Sequence, residues 1–140
     1  VYAYSGRINK IEAEAIQAFA HSKGKKTLTI GVKQSFTDLY VNVDPFTLLA
    51  YIKNADYVIT DTFHGTVFSI KYQTPFATLI RPSNIEKLSD LLEKFDLSSR
   101  TVNDVSNIKD VCTEEIDKLN ILKLLKTYRE SAITYLKDNL

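Results

Sequence analysis

A histidine and a glycine, His64 and Gly65, stand side by side near the middle of the chain. Imidazole is the side chain best suited to proton transfer near neutral pH, so His64 is a candidate general acid or base. Gly65 lacks a Cβ and would let a ligand or a neighbouring backbone approach closely, although glycine inside a helix costs about 1 kcal/mol relative to alanine. Two interpretations stay open: a catalytic histidine beside a ligand, or a histidine that caps a core helix while Gly65 allows close helix–strand packing.

The residues around His64 predict a strand, a turn and a short helix. Residues 57–59 are uncharged and favour β structure, which is typical of a strand buried on both faces of a parallel sheet. From Phe63 onward, apolar residues recur at helical spacing, and either Asp61 or Thr62 would cap that helix. In open α/β sheets ligands collect at the carboxyl ends of strands, where a helix N-terminus attracts anions. We therefore expect His64 to lie in a first helical turn beside an anionic ligand.

Several polar residues are predicted at the same edge of the sheet as His64. Arg7 follows the first predicted strand, and Arg81 follows the strand that comes after the His64 helix. An arginine in such a place can hold a phosphate or a carboxylate through two parallel hydrogen bonds. The alternatives are a solvated loop charge for Arg7 and an ion pair with a nearby carboxylate for Arg81. Lys33 and Ser35, in the loop after the second strand, are further candidate ligand contacts.

Length and composition indicate one soluble globular domain over residues 1–140, long enough to bury a core. The net charge of +1 argues against a nucleic acid or a membrane surface as the main partner. Cys112 has no second cysteine with which to form a disulfide, and the two histidines, His21 and His64, are too far apart in sequence to suggest a metal site. No apolar run reaches the roughly 20 residues of a membrane helix. We expect a cytoplasmic protein without a metal ion.

Strand-like and helical stretches alternate along the chain, which predicts an α/β, Rossmann-like domain with a mainly parallel sheet and flanking helices. A long loop is expected over residues 31–43, and the longest helix is expected to begin at Thr113. The chain opens in strand-like sequence with no initiator methionine, so we expect a domain of a longer protein.

A long run without gaps, from Asp44 to about Arg100, carries the motifs of one known family. It contains a helix that begins Asp-Pro-Phe, then Asn-Ala-Asp-Tyr-Val at residues 54–58, Thr-Asp-Thr-Phe-His-Gly at residues 60–65, and a leucine-rich helix followed by Arg100. This run resembles the carboxy-terminal half of the polysaccharide pyruvyl transferase family, whose usual motif is Thr-Asp-Ser-Phe-His-Gly. Thr62 replaces the serine of that motif and keeps its hydroxyl.

The resemblance implies the carboxy-terminal domain of a two-domain enzyme of the GT-B type, with the amino-terminal domain absent from this sequence. The implied transferase moves pyruvate from phosphoenolpyruvate to a sugar of a cell-surface polysaccharide or exopolysaccharide as a ketal. It needs no cofactor, and its partners are the small-molecule donor and a glycan acceptor, which is lipid-linked if the enzyme works at the inner face of the membrane. His64 would be the acid/base. The implied substrate-binding residues are Arg7, Asp61, Thr62, Phe63, Gly65, Thr66 and Arg81, with Asp61 as a helix cap or a partner that orients His64.

Two other functions remain compatible with these residues. A glycosyltransferase on the same scaffold would use the helix N-terminus at His64 for the diphosphate of a nucleotide sugar. A non-catalytic domain would keep the fold without the site. Another branch of the family carries Arg-Leu-His, whose arginine is expected to hold the charge of the donor, where this chain has Thr62-Phe63-His64.

Overall fold

The computed structural model describes residues 2–4 and 8–139. The strands within these residues are β1 (Tyr2–Tyr4), β2 (Leu28–Ile30), β3 (Leu39–Val41), β4 (Val58–Thr60), β5 (Phe76–Leu79) and β6 (Thr101–Val102). They form one parallel sheet in the order β3-β2-β1-β4-β5-β6. The strand order reverses between β1 and β4, and in doubly wound sheets such a reversal opens a crevice at the carboxyl ends of the two strands.

The helices lie on both faces of this sheet. They are α1 (Lys10–Ser22), α2 (Pro45–Asn54), α3 (Phe63–Tyr72), α4 (Ile85–Lys94), α5 (Ile108–Thr113) and α6 (Lys118–Asn139). One buried cluster joins α1 and α5 to the sheet through residues such as Ile16, Ile59 and Ile108. A second cluster joins α2, α3, α4 and α6 to the opposite face through residues such as Ile70 and Phe76. The predicted α/β architecture with a parallel sheet and flanking helices is confirmed.

Strand β3 corrects the prediction of a loop over residues 31–43. It forms the edge of the sheet, its first two side chains are exposed, and the sequence therefore lacks the apolar pattern of a buried strand. The residue before β3 is bound to the residue before β2: the Asp38 carboxylate accepts hydrogen bonds from the backbone N–H of Thr27 at 2.7 Å and from its hydroxyl at 2.8 Å.

The beginning of the longest helix is a second correction. Thr113 ends α5, and α6 begins only at Lys118, beyond the predicted acidic first turn. The guanidinium of Arg100, whose side chain is buried, donates to the backbone carbonyls of Glu114 and Glu115 at 2.9 Å each. Because these carbonyls are bound by a side chain, they accept no helical hydrogen bonds, and the segment between the two helices is not helical. No helix within the described residues is both long and apolar enough to cross a bilayer.

Candidate active site

His64 is the second residue of α3, which begins at Phe63, two residues after β4 ends at the carboxyl edge of the sheet, beside the reversal of strand order between β1 and β4. Thr62 is the N-cap of this helix: its backbone is extended and its Oγ1 accepts the N–H of Gly65 at 3.0 Å. The turn is fixed further because the N–H of Thr62 donates to the Oγ1 of Thr60 at 3.1 Å. Of the two caps that the sequence allows, Thr62 is therefore the one used.

The His64 side chain is exposed and contacts the rings of two phenylalanines. The Phe63 ring meets it edge-on with centroids 6.1 Å apart, and the Phe68 ring stacks against it at 6.4 Å with an angle of 29° between the planes. Within residues 2–4 and 8–139, no hydrogen bond or ion pair involves the imidazole nitrogens. The aromatic contacts orient the ring and leave both nitrogens open to a ligand.

The first backbone N–H groups of α3 divide into two pairs. Those of Gly65 and Thr66 are used by the cap, because they donate to the Oγ1 of Thr62 at 3.0 Å and to its carbonyl at 3.1 Å. Those of Phe63 and His64 find no acceptor in the described part of the chain. The two N–H groups that remain available for the expected anionic ligand are therefore those of Phe63 and His64, at the positive end of the helix dipole.

Gly65 and Thr66, both predicted to bind substrate, are turned toward the sheet. A Cβ on Gly65 would lie 2.3 Å from the Oγ1 of Thr60 and 2.8 Å from the Oγ1 of Thr62, so only glycine allows α3 to pack this closely on β4. Thr66 is fully buried, and its hydroxyl donates to the carbonyl of Thr62 at 3.0 Å and lies 3.3 Å from the hydroxyl of Thr78. These geometries favour the packing interpretation of Gly65.

Arg81 spans the carboxyl edge of the sheet and binds two carboxylates. Its Nε donates to the Oδ2 of Asp61 at 3.0 Å, and its two terminal nitrogens donate to the two carboxylate oxygens of Glu12 at 2.5 and 2.9 Å. Asp61 is 4% exposed and Glu12 is 5% exposed. The ion-pair interpretation of Arg81 is therefore the one that the structure supports, and Asp61 binds Arg81 rather than capping α3.

Asn84 closes a ring of hydrogen bonds with the same two residues. Its Nδ2 donates to the backbone carbonyl of Asp61 at 2.7 Å, and its Oδ1 accepts the backbone N–H of Arg81 at 2.9 Å. Although Asn84 is the N-cap residue of α4, its side chain makes no capping hydrogen bond, because the amide is used in this ring. We call Asp61, Arg81 and Asn84 the Asp61 ring.

The charges of this network are stabilised by one another. Burial raises the pKa of Glu12, but the hydrogen bonds from Arg81 and from the N–H of Asn9, together with the charge of Arg81, outweigh burial and lower this pKa below 4.5. The hydrogen bond to Glu12 raises the pKa of Arg81 despite partial burial, and Asp61 raises it further. Glu12 and Arg81 are therefore both ionised at neutral pH.

Glu12 is a site residue that sequence reasoning missed. Glu12 is the third residue of α1, and Asn9 is the N-cap of this helix. The Oδ1 of Asn9 accepts the N–H of Glu12 at 3.0 Å, and the carboxylate of Glu12 accepts the N–H of Asn9 at 2.9 Å. The pattern Asn-x-x-Glu before an apolar stripe is a capping-box signal that could have located it. The carboxylate of Glu12 lies at the N-terminus of α1, where it offsets the positive end of the dipole of that helix.

Arg7 lies outside the described residues. Ser35 lines a cleft of about 460 Å³ between α1 and the loop after β2, together with Asn9, Gln17 and Gln34. Within residues 2–4 and 8–139, no three His, Cys, Asp or Glu side chains are grouped so that they could hold a metal ion.

Comparisons with known proteins identify the family. No curated protein and no solved structure gave a significant match to the chain. The family model described as polysaccharide pyruvyl transferase matches residues 3–84, which is more than half of the 140 residues. The matched segment runs from β1 to the start of α4 and contains Glu12, the Thr62 cap, His64 and the Asp61 ring. This chain therefore belongs to the polysaccharide pyruvyl transferase family, a family of transferases.

Proposed function

We propose that this domain is the carboxy-terminal half of a two-domain enzyme of the GT-B type that transfers pyruvate from phosphoenolpyruvate to a sugar of a cell-surface polysaccharide or exopolysaccharide. The observation that carries the proposal is the placement of His64. An exposed imidazole with open nitrogens stands at a helix end whose first two N–H groups, those of Phe63 and His64, are open as well. A proton donor and an anion site thus lie within one helical turn.

The reaction converts the enolpyruvyl group into a cyclic ketal. A proton adds to the methylene carbon of phosphoenolpyruvate, and one sugar hydroxyl adds to the central carbon. A second hydroxyl then forms another C–O bond at this carbon while the C–O bond to phosphate breaks. Of the two hydroxyl protons, one replaces the proton given to the methylene carbon, and the other leaves with the phosphate. His64 is suited to give the first proton and to recover it from the attacking hydroxyl.

The negative charges of the donor require positive partners. The open N–H groups of Phe63 and His64, with the dipole of α3 behind them, are suited to hold the carboxylate or the departing phosphate. Arg7 is a candidate for a second positive partner, because it follows β1 by three residues in the sequence. The guanidinium of Arg81 is already bound to Asp61 and Glu12, so its contribution to the donor is through the local field.

Phe63 supplies an apolar surface beside the acid/base. Its side chain is 40% exposed and meets the His64 ring edge-on. An aromatic face in this place is suited to pack against the methylene group of the donor or the C–H face of a sugar. The acceptor itself would be bound mainly by the amino-terminal domain, in the cytoplasm at the inner face of the membrane, where a lipid-linked glycan is presented.

The proposal is tested with the two-domain protein in a ligand panel. Phosphoenolpyruvate and common nucleotide sugars are compared by thermal shift, and phosphate release is measured in the presence of glycan acceptors. A ligand at about 100 times its dissociation constant should add roughly 2.7 kcal/mol to the free energy of unfolding. We expect stabilisation by phosphoenolpyruvate and acceptor-dependent release of phosphate. Stabilisation by nucleotide sugars without any effect of phosphoenolpyruvate would contradict pyruvyl transfer and indicate glycosyl transfer, and binding of neither would indicate a non-catalytic domain.

A further inference from the structure

We infer that Arg81 and Asn84 are positioning residues for His64, which they place by fixing the turn between β4 and α3. The inference rests on the proposed role of His64 as the acid/base. It assigns to the loop between β5 and α4 a part in catalysis without contact with the substrate.

The Asp61 ring holds both the side chain and the main chain of Asp61. Arg81 binds the carboxylate through its Nε at 3.0 Å, and Asn84 binds the backbone carbonyl at 2.7 Å. The two holding residues are themselves joined, because the N–H of Arg81 donates to the Oδ1 of Asn84 at 2.9 Å. Asp61 is therefore constrained in position and in the orientation of its peptide, beyond what one ion pair would achieve.

This ring is anchored to the opposite layer of the fold. The guanidinium nitrogens of Arg81 that do not reach Asp61 bind the Glu12 carboxylate bidentately, and Glu12 is fixed at the N-terminus of α1 by its capping box with Asn9. α1 lies on one face of the sheet and α3 on the other. The turn before α3 is thus tied to a buried point of the rigid scaffold.

The constraint on Asp61 passes directly to His64. Asp61 immediately precedes Thr62, the N-cap of α3, and His64 follows two residues later. Thr62 is bound in turn by Thr60 on its strand side and by the N–H of Gly65 on its helix side. The turn between β4 and the helix that carries the imidazole is therefore held at Asp61 and at Thr62, and Asn84 binds the carbonyl of the peptide that joins these two residues.

Proton transfer is sensitive to such placement. A displacement of about 1 Å in a catalytic group can cost on the order of 100-fold in rate. Removing the amide of Asn84 frees the carbonyl of Asp61 and loosens the loop of Arg81 without removing any group that touches the ligand. We expect Asn84→Ala in the full chain to lower kcat by about 10- to 100-fold and to change KM by less than about 2-fold. Arg81→Lys, which keeps the charge but loses the guanidinium fork, should show the same pattern.

A matched control distinguishes this role from a general loss of stability. Asn120 is also half-buried and also donates from its side-chain amide to an aspartate, Asp96, at 3.1 Å, but it lies at the start of α6. Asn120→Ala should leave kcat unchanged while its melting temperature is comparable to that of Asn84→Ala. The double variant Asn84→Ala/His64→Ala should be no less active than His64→Ala alone, because a positioning residue has nothing to position once the imidazole is gone.

An NMR measurement decides the placement without reference to activity. The imidazole of His64 contacts two aromatic rings, those of Phe63 and Phe68, so the chemical shifts of its protons report small displacements of the imidazole. Asn84→Ala should shift them, and Asn120→Ala should not.

Unchanged His64 shifts in Asn84→Ala, an unchanged kcat, or additive losses in the double variant would each overturn the inference. Failure of the proposed function looks different: the parent protein would not transfer pyruvate, or His64→Ala would remain active, whereas the NMR comparison would still test the placement of His64.

Discussion

At the scale of single residues, the candidate site depends on which polar atoms already have a hydrogen-bond partner within the fold. The imidazole of His64 makes only aromatic contacts within the described residues. Asp61, Gly65 and Thr66, in contrast, form hydrogen bonds with other residues of the fold. A motif of consecutive residues thus contains two kinds of member. Thr62, Gly65 and Thr66 build the helix end, whereas the side chains of Phe63 and His64 are exposed.

Gly65→Ala should destabilise the protein although alanine is the better helix former. Helix propensity favours alanine by about 1 kcal/mol. However, the new Cβ would lie 2.3 Å from the Oγ1 of Thr60, on a buried strand that cannot move away, and such overpacking costs typically about 1–3 kcal/mol. We expect a lower free energy of unfolding in urea titrations, and a smaller loss when Thr60→Ala removes the clashing hydroxyl. A Gly65→Ala variant as stable as its parent in both backgrounds would contradict the packing role.

Cys112 should be unreactive in the folded protein. Burial raises the pKa of its thiol to about 12, although the nearby charge of Arg100 acts in the opposite direction. At pH 8 almost no thiolate is present, and the side chain is 1% exposed. Mass spectrometry of the peptide that contains Cys112 should show alkylation by iodoacetamide in denaturant and almost none without it. Rapid labelling under native conditions would show that the layer of α1 and α5 opens readily.

At the scale of elements, ion pairs and charged hydrogen bonds join the ends of helices and strands that lie far apart in the sequence. Arg81 joins β5 to β4 and α1, and Arg100 joins the turn before β6 to the segment between α5 and α6. These contacts join helix ends to strand ends that the local sequence does not bring together. Their effects should therefore appear in cooperative unfolding.

The pair of Glu12 and Arg81 should make stability depend on pH in the acid range. The pKa of Glu12 is lowered in the folded state, so its stabilisation is present above the unfolded value of about 4.5 and is lost as the pH falls through the folded value. Glu12→Gln should therefore be less stable than the parent at pH 7, and the difference should shrink at pH 3. Glu14→Gln, which changes an exposed residue of the same helix, is the control and should differ little at either pH. A constant difference between Glu12→Gln and the parent at both values would contradict the ion pair.

Arg100→Met should weaken the junction of α5 and α6. The Arg100 guanidinium donates to the carbonyls of Val111, Glu114 and Glu115 from a site that is 1% exposed. Loss of these charge-assisted hydrogen bonds should lower the free energy of unfolding by about 2–4 kcal/mol. Arg129→Met, on the exposed part of α6, should have little effect in the same urea titration. Equal stability of the two variants would show that Arg100 adds nothing to this junction.

At the scale of the whole molecule, the sequence predicts those strands and helices that a hydrophobic pattern or a capping residue specifies. The buried strands β4 and β5 and the helix α2, with its Asp44 cap and Pro45, are where pattern and composition place them. The edge strand β3 could not be predicted, because exposed side chains leave no pattern. The start of α6 could not be predicted either, because it depends on the contact of Arg100 with distant carbonyls.

The same distinction applies to the candidate site. The position of His64 at the start of a helix follows from its local sequence, whereas the choice between two adjacent caps does not. The contact of Arg81 with Glu12 joins residues 69 positions apart and depends on the strand order, which the local pattern does not contain. Long-range pairing therefore explains why Glu12 and Asn84 were missed although each stands in a recognisable helix start.

The proposed transfer of a proton by the imidazole of His64 can be tested by chemical rescue. In the two-domain protein, His64→Ala should lose pyruvyl transfer from phosphoenolpyruvate while it keeps the fold, because the side chain is exposed and makes no hydrogen bond within the described residues. Added imidazole should restore part of the rate by occupying the space between Phe63 and Phe68, and His21→Ala, which changes the other histidine of the chain, should remain fully active without it. A His64→Ala variant with the rate of the parent would contradict the account, and an inactive variant that imidazole does not rescue would contradict proton transfer by this side chain.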